Sequence, residues 1–176
     1  MNILHQATEQ ELKAVLPEKT AGYIIKARKG EVGLIAGGGG VYEDLYLILM
    51  ERVNVFVVEQ TCPYPEIDHR DQEALHLIAK ENGVIVAYCR IFQNGIMYKE
   101  ASIGRVLVTQ AGRKKGYGKL LLIKALEKLS ELGETSVKIQ AQAYLKSFYE
   151  SFGFKAVSDV YDEDGIPHLD MVKTER

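Results

Sequence analysis

The apolar positions of this 176-residue chain change period several times. Residues 75–81 and 84–92 read as two strand-like runs, the second dense in β-branched and aromatic side chains. Between them lies Asn82-Gly83, the strongest short signal for a hairpin. Two-residue alternation puts His76, Ile78 and Lys80 on one face of the first of these strands. Residues 102–108 read as a further strand, with Ile103, Arg105 and Leu107 on one face and Gly104, Val106 and Val108 on the other. In residues 136–142, Val137, Ile139 and Ala141 point inward. Elsewhere the period is helical. Leu45, Ile48, Leu49, Arg52 and Phe56 predict a helix over residues 41–55. Leu121, Leu122, Ala125, Leu126 and Leu129 predict one over 116–132, closed by Gly133. Leu145, Phe148, Tyr149 and Phe152 predict a short helix stopped by Gly153. A short strand is expected over 96–98, after the Asn94-Gly95 turn. Two last strands are expected over 155–160 and 168–172, joined by an acidic loop at 162–165.

Residues 1–40 carry weaker patterns. Thr8 and Glu11 fit a capped helix over 8–16, and short strands fit 23–25 and 31–36. Gly37, Gly38, Gly39 and Gly40 read as a break, since no Lys-Ser/Thr pair follows to make a phosphate loop. We therefore expect an N-terminal extension over 1–40, supplying an edge strand or nothing to the sheet, and one domain over 41–176. Strands and crossover helices together give an α/β (α+β) domain.

Composition narrows the function classes. The chain is 47% apolar with 22 basic and 24 acidic residues, a net charge of −2. That gives no basic excess for nucleic acid. No apolar run reaches membrane-spanning length, and the first residues lack a signal-peptide pattern. Cys62 and Cys89 make no metal or redox motif, so a cytoplasmic protein without metal is expected.

The stretch with most chemistry is Arg113, Lys114, Lys115, Gly116, Tyr117 and Gly118, between a strand and a helix. A helix start offers N–H groups without intrahelical partners, and its dipole favours anions. Gly116 and Gly118 clear the backbone, and the basic side chains add charge. By itself the stretch is equally a solvated turn. It lacks the Walker and dinucleotide-binding patterns.

Arg113, Gly116 and Gly118 match the Gln/Arg-x-x-Gly-x-Gly/Ala phosphate loop of the GNAT acetyltransferases, and Tyr149, Gly153 and Phe154 match their Tyr-x-x-x-Gly-Phe signature. Phe-Val-Val-Glu-Gln60, Cys-Pro-Tyr64, Ile-Asp68, Ile-Gly-Arg105, Ala-Gln-Ala143 and Glu-Asp-Gly-Ile-Pro-His168 resemble the ElaA branch of that superfamily. The resemblance spans residues 42–173. It implies a GNAT fold: a mixed, mostly antiparallel six- to seven-stranded sheet, helices on both faces and splayed central strands. It implies acetyl-CoA as cosubstrate and a small-molecule or peptide amine as acceptor. GNAT domains often form homodimers.

The resemblance also suggests roles. Backbone of Val106, Leu107 and Val108 would hold pantetheine. Arg113, Lys114, Lys115, Gly116, Tyr117 and Gly118 would hold the pyrophosphate, with Lys119 nearby, and the 3′-phosphate would meet Lys114, Lys115 or Lys146. Tyr149 is the candidate general acid, although its spacing alone fits plain packing in an apolar stripe. An alkylamine of pKa about 10.4 is neutral in about one molecule per thousand near pH 7, so a base helps. His168 resembles the general base of the glyphosate N-acetyltransferase family. It equally fits a structural hydrogen bond. Glu59 is the competing base, or a counter-ion for the amine. Arg105, in an otherwise apolar strand, must meet an acid or an anionic ligand; it matches an arginine that binds substrate acid groups in the same glyphosate family. His76 completes the candidate substrate residues, although a satisfied strand histidine is the plainer account. Three function classes follow: a small-molecule N-acetyltransferase, a protein lysine or N-terminal acetyltransferase, and a non-catalytic acyl-CoA-binding regulator.

Overall fold

Asn82 and Gly83 both take positive φ, 52° and 83°, the backbone of a tight hairpin turn. They join strands β2 (Leu75–Glu81) and β3 (Val84–Phe92). The computed structural model describes residues 32–35 and 41–174. The helix expected over 8–16, the strand over 23–25 and the glycine break at 37–40 lie outside the described residues. Strand β1 (Val32–Ile35) pairs antiparallel with β2, so this part of the expected extension adds an edge to the sheet.

The remaining elements are helix α1 (Val41–Arg52), β4 (Ala101–Val108), α2 (Tyr117–Glu131), β5 (Ser136–Gln142), α3 (Lys146–Glu150), β6 (Lys155–Ala156), β7 (Tyr161–Glu163) and β8 (Ile166–Thr174). One mixed sheet runs β1-β2-β3-β4-β5-β8-β6, with β7 also on β8. Every pairing is antiparallel except β4–β5. Leu121, Leu122, Ala125 and Leu129 of α2 pack on Leu77, Val86, Ile91 and Ile139 on one face. Ile48 and Val55 pack on Ile78, Ile85, Tyr88 and Leu107 on the other. The expected fold class is the observed one. Among the described residues, no helix is long and apolar enough to cross a membrane.

Four local expectations are corrected. The first concerns β4. Ile103 joins the α2-side core and Leu107 the α1-side core, so they do not share a face. The ladder pairs Tyr88 with Leu107 but Arg90 with Gly104, leaving Arg105 and Val106 opposite the single residue Cys89. Arg105 sits at φ +52° in this bulge, and the extra residue inverts the alternation beyond it.

The second concerns α1, which ends at Arg52. A π-helical segment, Val53–Glu59, follows. Four β-branched residues, Val53, Val55, Val57 and Val58, disfavour a tight α-helix there. Gln60 N–H instead bonds Val55 O at 3.3 Å and Cys62 N–H bonds Val57 O at 3.1 Å.

Third, residues 96–98 form no strand. Gly95 N–H bonds Tyr98 O at 2.7 Å, which closes a turn. Fourth, the strand expected over 155–160 is only Lys155–Ala156, because the Ser158 hydroxyl captures Asp170 N–H at 2.9 Å. Asp162 and Glu163, expected in a loop, form β7 with Tyr161.

Candidate active site

Parallel strands β4 and β5 pair only at Ala101–Val137 and Ser102–Lys138. Beyond Ser102 they part, and both edges line a cleft of about 680 Å³. Its walls include Val106, Leu107, Val108, Arg113 and Gly118 on one side, and Gln140, Gln142 and His168 on another. The π-helical segment supplies Val55, Phe56 and Glu59. π-turns are frequent at functional sites, and this one swings Glu59 toward the phosphate-loop candidate.

That loop reaches α2 through two left-handed residues, Lys114 at φ +62° and Gly116 at φ +83°. Glycine takes the second at no steric cost. No side chain caps the start of α2, so its first N–H groups remain available to an anion. Arg113 and Gly118 line the cleft; Lys114, Lys115, Gly116, Tyr117 and Lys119 do not. The Tyr117 side chain is buried in the core, so only its backbone can face a phosphate. Lys115 bonds Glu81 at 2.7 Å.

Tyr149 lines the cleft floor from α3, held edge-to-face by Phe148 and Phe154 at ring separations of 5.2 and 6.0 Å. Burial pushes its phenol well above the ordinary value, so it carries its proton at neutral pH. Its hydroxyl has no protein hydrogen bond among the described residues.

His168 lies on β8, opposite Gln142 of β5 and Tyr161 of β7. Its Nδ1 is 2.8 Å from Ile166 O, and its ring stacks on Tyr161 at 24°. A carbonyl only accepts, so Nδ1–H is the donor, and in the neutral ring Nε2 is the nitrogen with the lone pair. Glu59 receives two bonds from Arg113 Nη2, at 2.6 and 2.7 Å. His76 is outside this cleft. It is buried on β2, with Nδ1 2.9 Å from the Tyr88 hydroxyl and Nε2 2.9 Å from Asp71 O. Burial lowers its pKa, opposed only in part by Asp71.

Arg105 meets an acid. Its Nε is 2.9 and 2.8 Å from the two Glu66 oxygens, and its guanidinium lies over Tyr64, 5.6 Å from the ring centre. Behind it is an ion cluster that the sequence did not announce. Arg52, fully buried, bonds Glu66 and Asp71, each at 2.5 Å. Arg90 bonds Asp68 through both terminal nitrogens at 2.7 Å and Asp71 at 3.1 Å. The Tyr64 hydroxyl donates to Glu66. Burial works against the Asp68 charge, but Arg90 outweighs it and holds the carboxyl well below its usual range. One signal was available: Arg52 interrupts an apolar helical stripe and Arg90 an apolar strand, the same anomaly as Arg105. Asp68 and Asp71 lie in a polar stretch, residues 68–71, that reads either as a solvated loop or as a substrate-facing rim.

Known proteins resemble this chain over most of its length. Residues 40–175 match a model described as an acetyltransferase (GNAT) domain. Protein ElaA of Escherichia coli K12 is 42% identical over 133 residues, 74% of this chain and 87% of that one. A UPF0039 protein of Schizosaccharomyces pombe is 43% identical over 132 residues, 73% of this chain and 87% of that one. The crystal structure of E. coli ElaA superposes with a TM-score of 0.69 at 41% identity, covering 74% of this chain and 90% of that one. An acyl-CoA N-acyltransferase from Pseudomonas aeruginosa gives 0.71 at 39% identity, covering 76% and 92%.

Proposed function

The chain belongs to the GNAT acetyltransferase family, in its ElaA-like branch, and on that premise we propose that it transfers the acetyl group of acetyl-CoA to a primary amine of a small molecule by direct attack. One observation carries the reading. The parted edges of β4 and β5 open directly between an uncapped helix start and a protonated phenol. That arrangement suits a thioester whose phosphates lie at one end and whose sulfur lies at the other.

In this reading the free edge of Val106, Leu107 and Val108 binds the pantetheine arm. The backbone of residues 113–118 binds the pyrophosphate, with positive charge from Arg113, Lys114, Lys115 and Lys119. A backbone N–H at the parted edge stabilises the charge that develops on the carbonyl oxygen. Acetyl-CoA supplies an activated carbonyl with a thiol leaving group. The amine nitrogen bonds to the acetyl carbon as the carbon–sulfur bond breaks.

His168 accepts the amine proton at Nε2, the nitrogen its contact with Ile166 leaves free. Tyr149 donates its phenolic proton to the departing sulfur. Glu59 is ion-paired with Arg113 and takes no proton in this reading. Arg105 and the cluster behind it face the acceptor.

Thiol release from acetyl-CoA over a panel of amines tests this, with Tyr149→Phe as the control. The expected result is amine-dependent release that falls about 10²- to 10⁴-fold in the control, the usual share of a positioned acid. If acetyl-CoA raises the melting temperature but no amine is acetylated, the transferase reading fails and a binding module replaces it.

A further inference from the structure

One glycine of the cleft has no reason within the fold. Gly104 lies inside β4 and lines the cleft. Six other glycines among the described residues turn the chain at positive φ, and Gly104 is not one of them. A Cβ on Gly112 would meet Val86 O at 2.5 Å, and one on Gly118 would meet Val108 Cγ2 at 3.5 Å. A Cβ on Gly104 would meet nothing within 4 Å. Neither backbone conformation nor crowding therefore asks for glycine at this position. Inside a strand, glycine loses more entropy on folding and packs no side chain, and it often marks the close approach of a ligand.

The open space lies on the face where the base works. Ile103 of β4, Ile139 and Ala141 of β5, and Leu169 and Met171 of β8 all pack in the core on the α2 side. By alternation Gly104, Gln140, Gln142 and His168 point to the opposite face, and all four line the cleft. β4 runs toward the phosphate loop, so Gly104 lies past Val106–Val108, at the end away from the phosphates. An amine that gives its proton to His168 must come to this face, beyond the thioester.

We propose that Gly104 determines acceptor specificity: the space above its backbone takes the substituent carried by the amine-bearing carbon. A side chain there would leave room only for a slim amine, whereas glycine also admits an amine branched at that carbon. This proposal rests on the cleft being the acceptor site of a transferase.

Gly104→Ala tests it, first without any substrate. If the fold does not need the glycine, the variant should melt about 1–4 °C higher than the wild type. A lower melting temperature would make the glycine structural and overturn the proposal. Turnover is then compared within matched pairs, ethylamine with isopropylamine and benzylamine with 1-phenylethylamine. In the variant, kcat/KM for the branched member should fall about tenfold or more relative to its partner, the scale of one methyl group in a pocket. The KM for acetyl-CoA should stay unchanged. Equal losses within the pairs, or none, overturn the proposal. So does a loss that is larger with propionyl-CoA than with acetyl-CoA and the same for every amine, because the space would then belong to the acyl group.

A binding measurement keeps the proposal apart from the transferase reading. N-isopropylacetamide, the product expected from isopropylamine, is titrated into CoA-loaded wild-type and variant protein while the backbone N–H of residue 104 is followed by NMR. The wild-type signal should move, and the variant should bind about tenfold or more weakly. If both hold while no amine is acetylated, the subsite stands and the transferase reading fails. If the wild-type signal stays in place, or both proteins bind equally, the subsite is refuted, whatever the enzyme turns over.

Discussion

Glu66→Gln is the most informative single change outside the reacting groups. Glu66 is 4% exposed and bonds two arginines, Arg52 and Arg105, as well as the Tyr64 hydroxyl. Glutamine keeps the shape but removes the charge. One of its two oxygens becomes an NH2 group that points a donor at other donors. Arg52, fully buried, then keeps only half its compensation. Removing one partner of a buried pair costs about 3–5 kcal/mol, because the other charge stays buried. At about 2–4 °C per kcal/mol for a chain of this size, the melting temperature should fall by about 6–20 °C.

Urea denaturation gives the free energy directly, and an unchanged slope would show that two-state unfolding is retained. A loss under about 1 kcal/mol is what an exposed ion pair gives. That result would mean the cluster is solvated, and the reasoning that makes it a rigid support for Arg105 would be wrong.

Three further predictions follow from other parts of the molecule. His168→Asn should lower turnover by about 10²-fold or more while CoA affinity stays unchanged; an unaltered rate would remove His168 as the base. His76 has a lowered pKa in the folded chain, so below pH about 6.5 the unfolded chain binds the proton more readily. Stability should therefore fall as pH drops through that value, and in His76→Gln this component of the pH dependence should disappear from thermal melts. Gly112→Ala would put a Cβ 2.5 Å from Val86 O. The backbone must shift, and we expect a loss of about 1–3 kcal/mol in chemical denaturation.

Much of the site was legible in the residues. The phosphate-loop candidate, Tyr149, His168 and Glu59 were all singled out from motifs. The structure brings Glu59, Arg105, Arg113, Tyr149 and His168 to one cleft. His76 was not brought there, since alternation along a strand names a face but not what covers it. Arg105 was noticed as an anomaly, and the acid it needed was Glu66, in a loop whose residues carried no periodic signal. Arg52 and Arg90 escaped because each can be read as a solvated interruption until its burial is known.

Local pattern by itself determined the hairpin at Asn82-Gly83, the strands on either side, the amphipathic helix that follows the phosphate-loop candidate and the class of the fold. These depend on interactions a few residues apart, which periodicity and turn chemistry encode directly. Only tertiary structure decided the bulge at Arg105, the π-turn that delivers Glu59, the parting of β4 from β5 and the cluster of three arginines and three carboxylates. Each of these depends on a partner distant in the chain. The bulge exists against β3, the cleft between two strands that a whole helix separates in the chain, and the charge cluster among four separate segments. A single strand's sequence holds half of each such interaction, and the other half is supplied only when the sheet assembles.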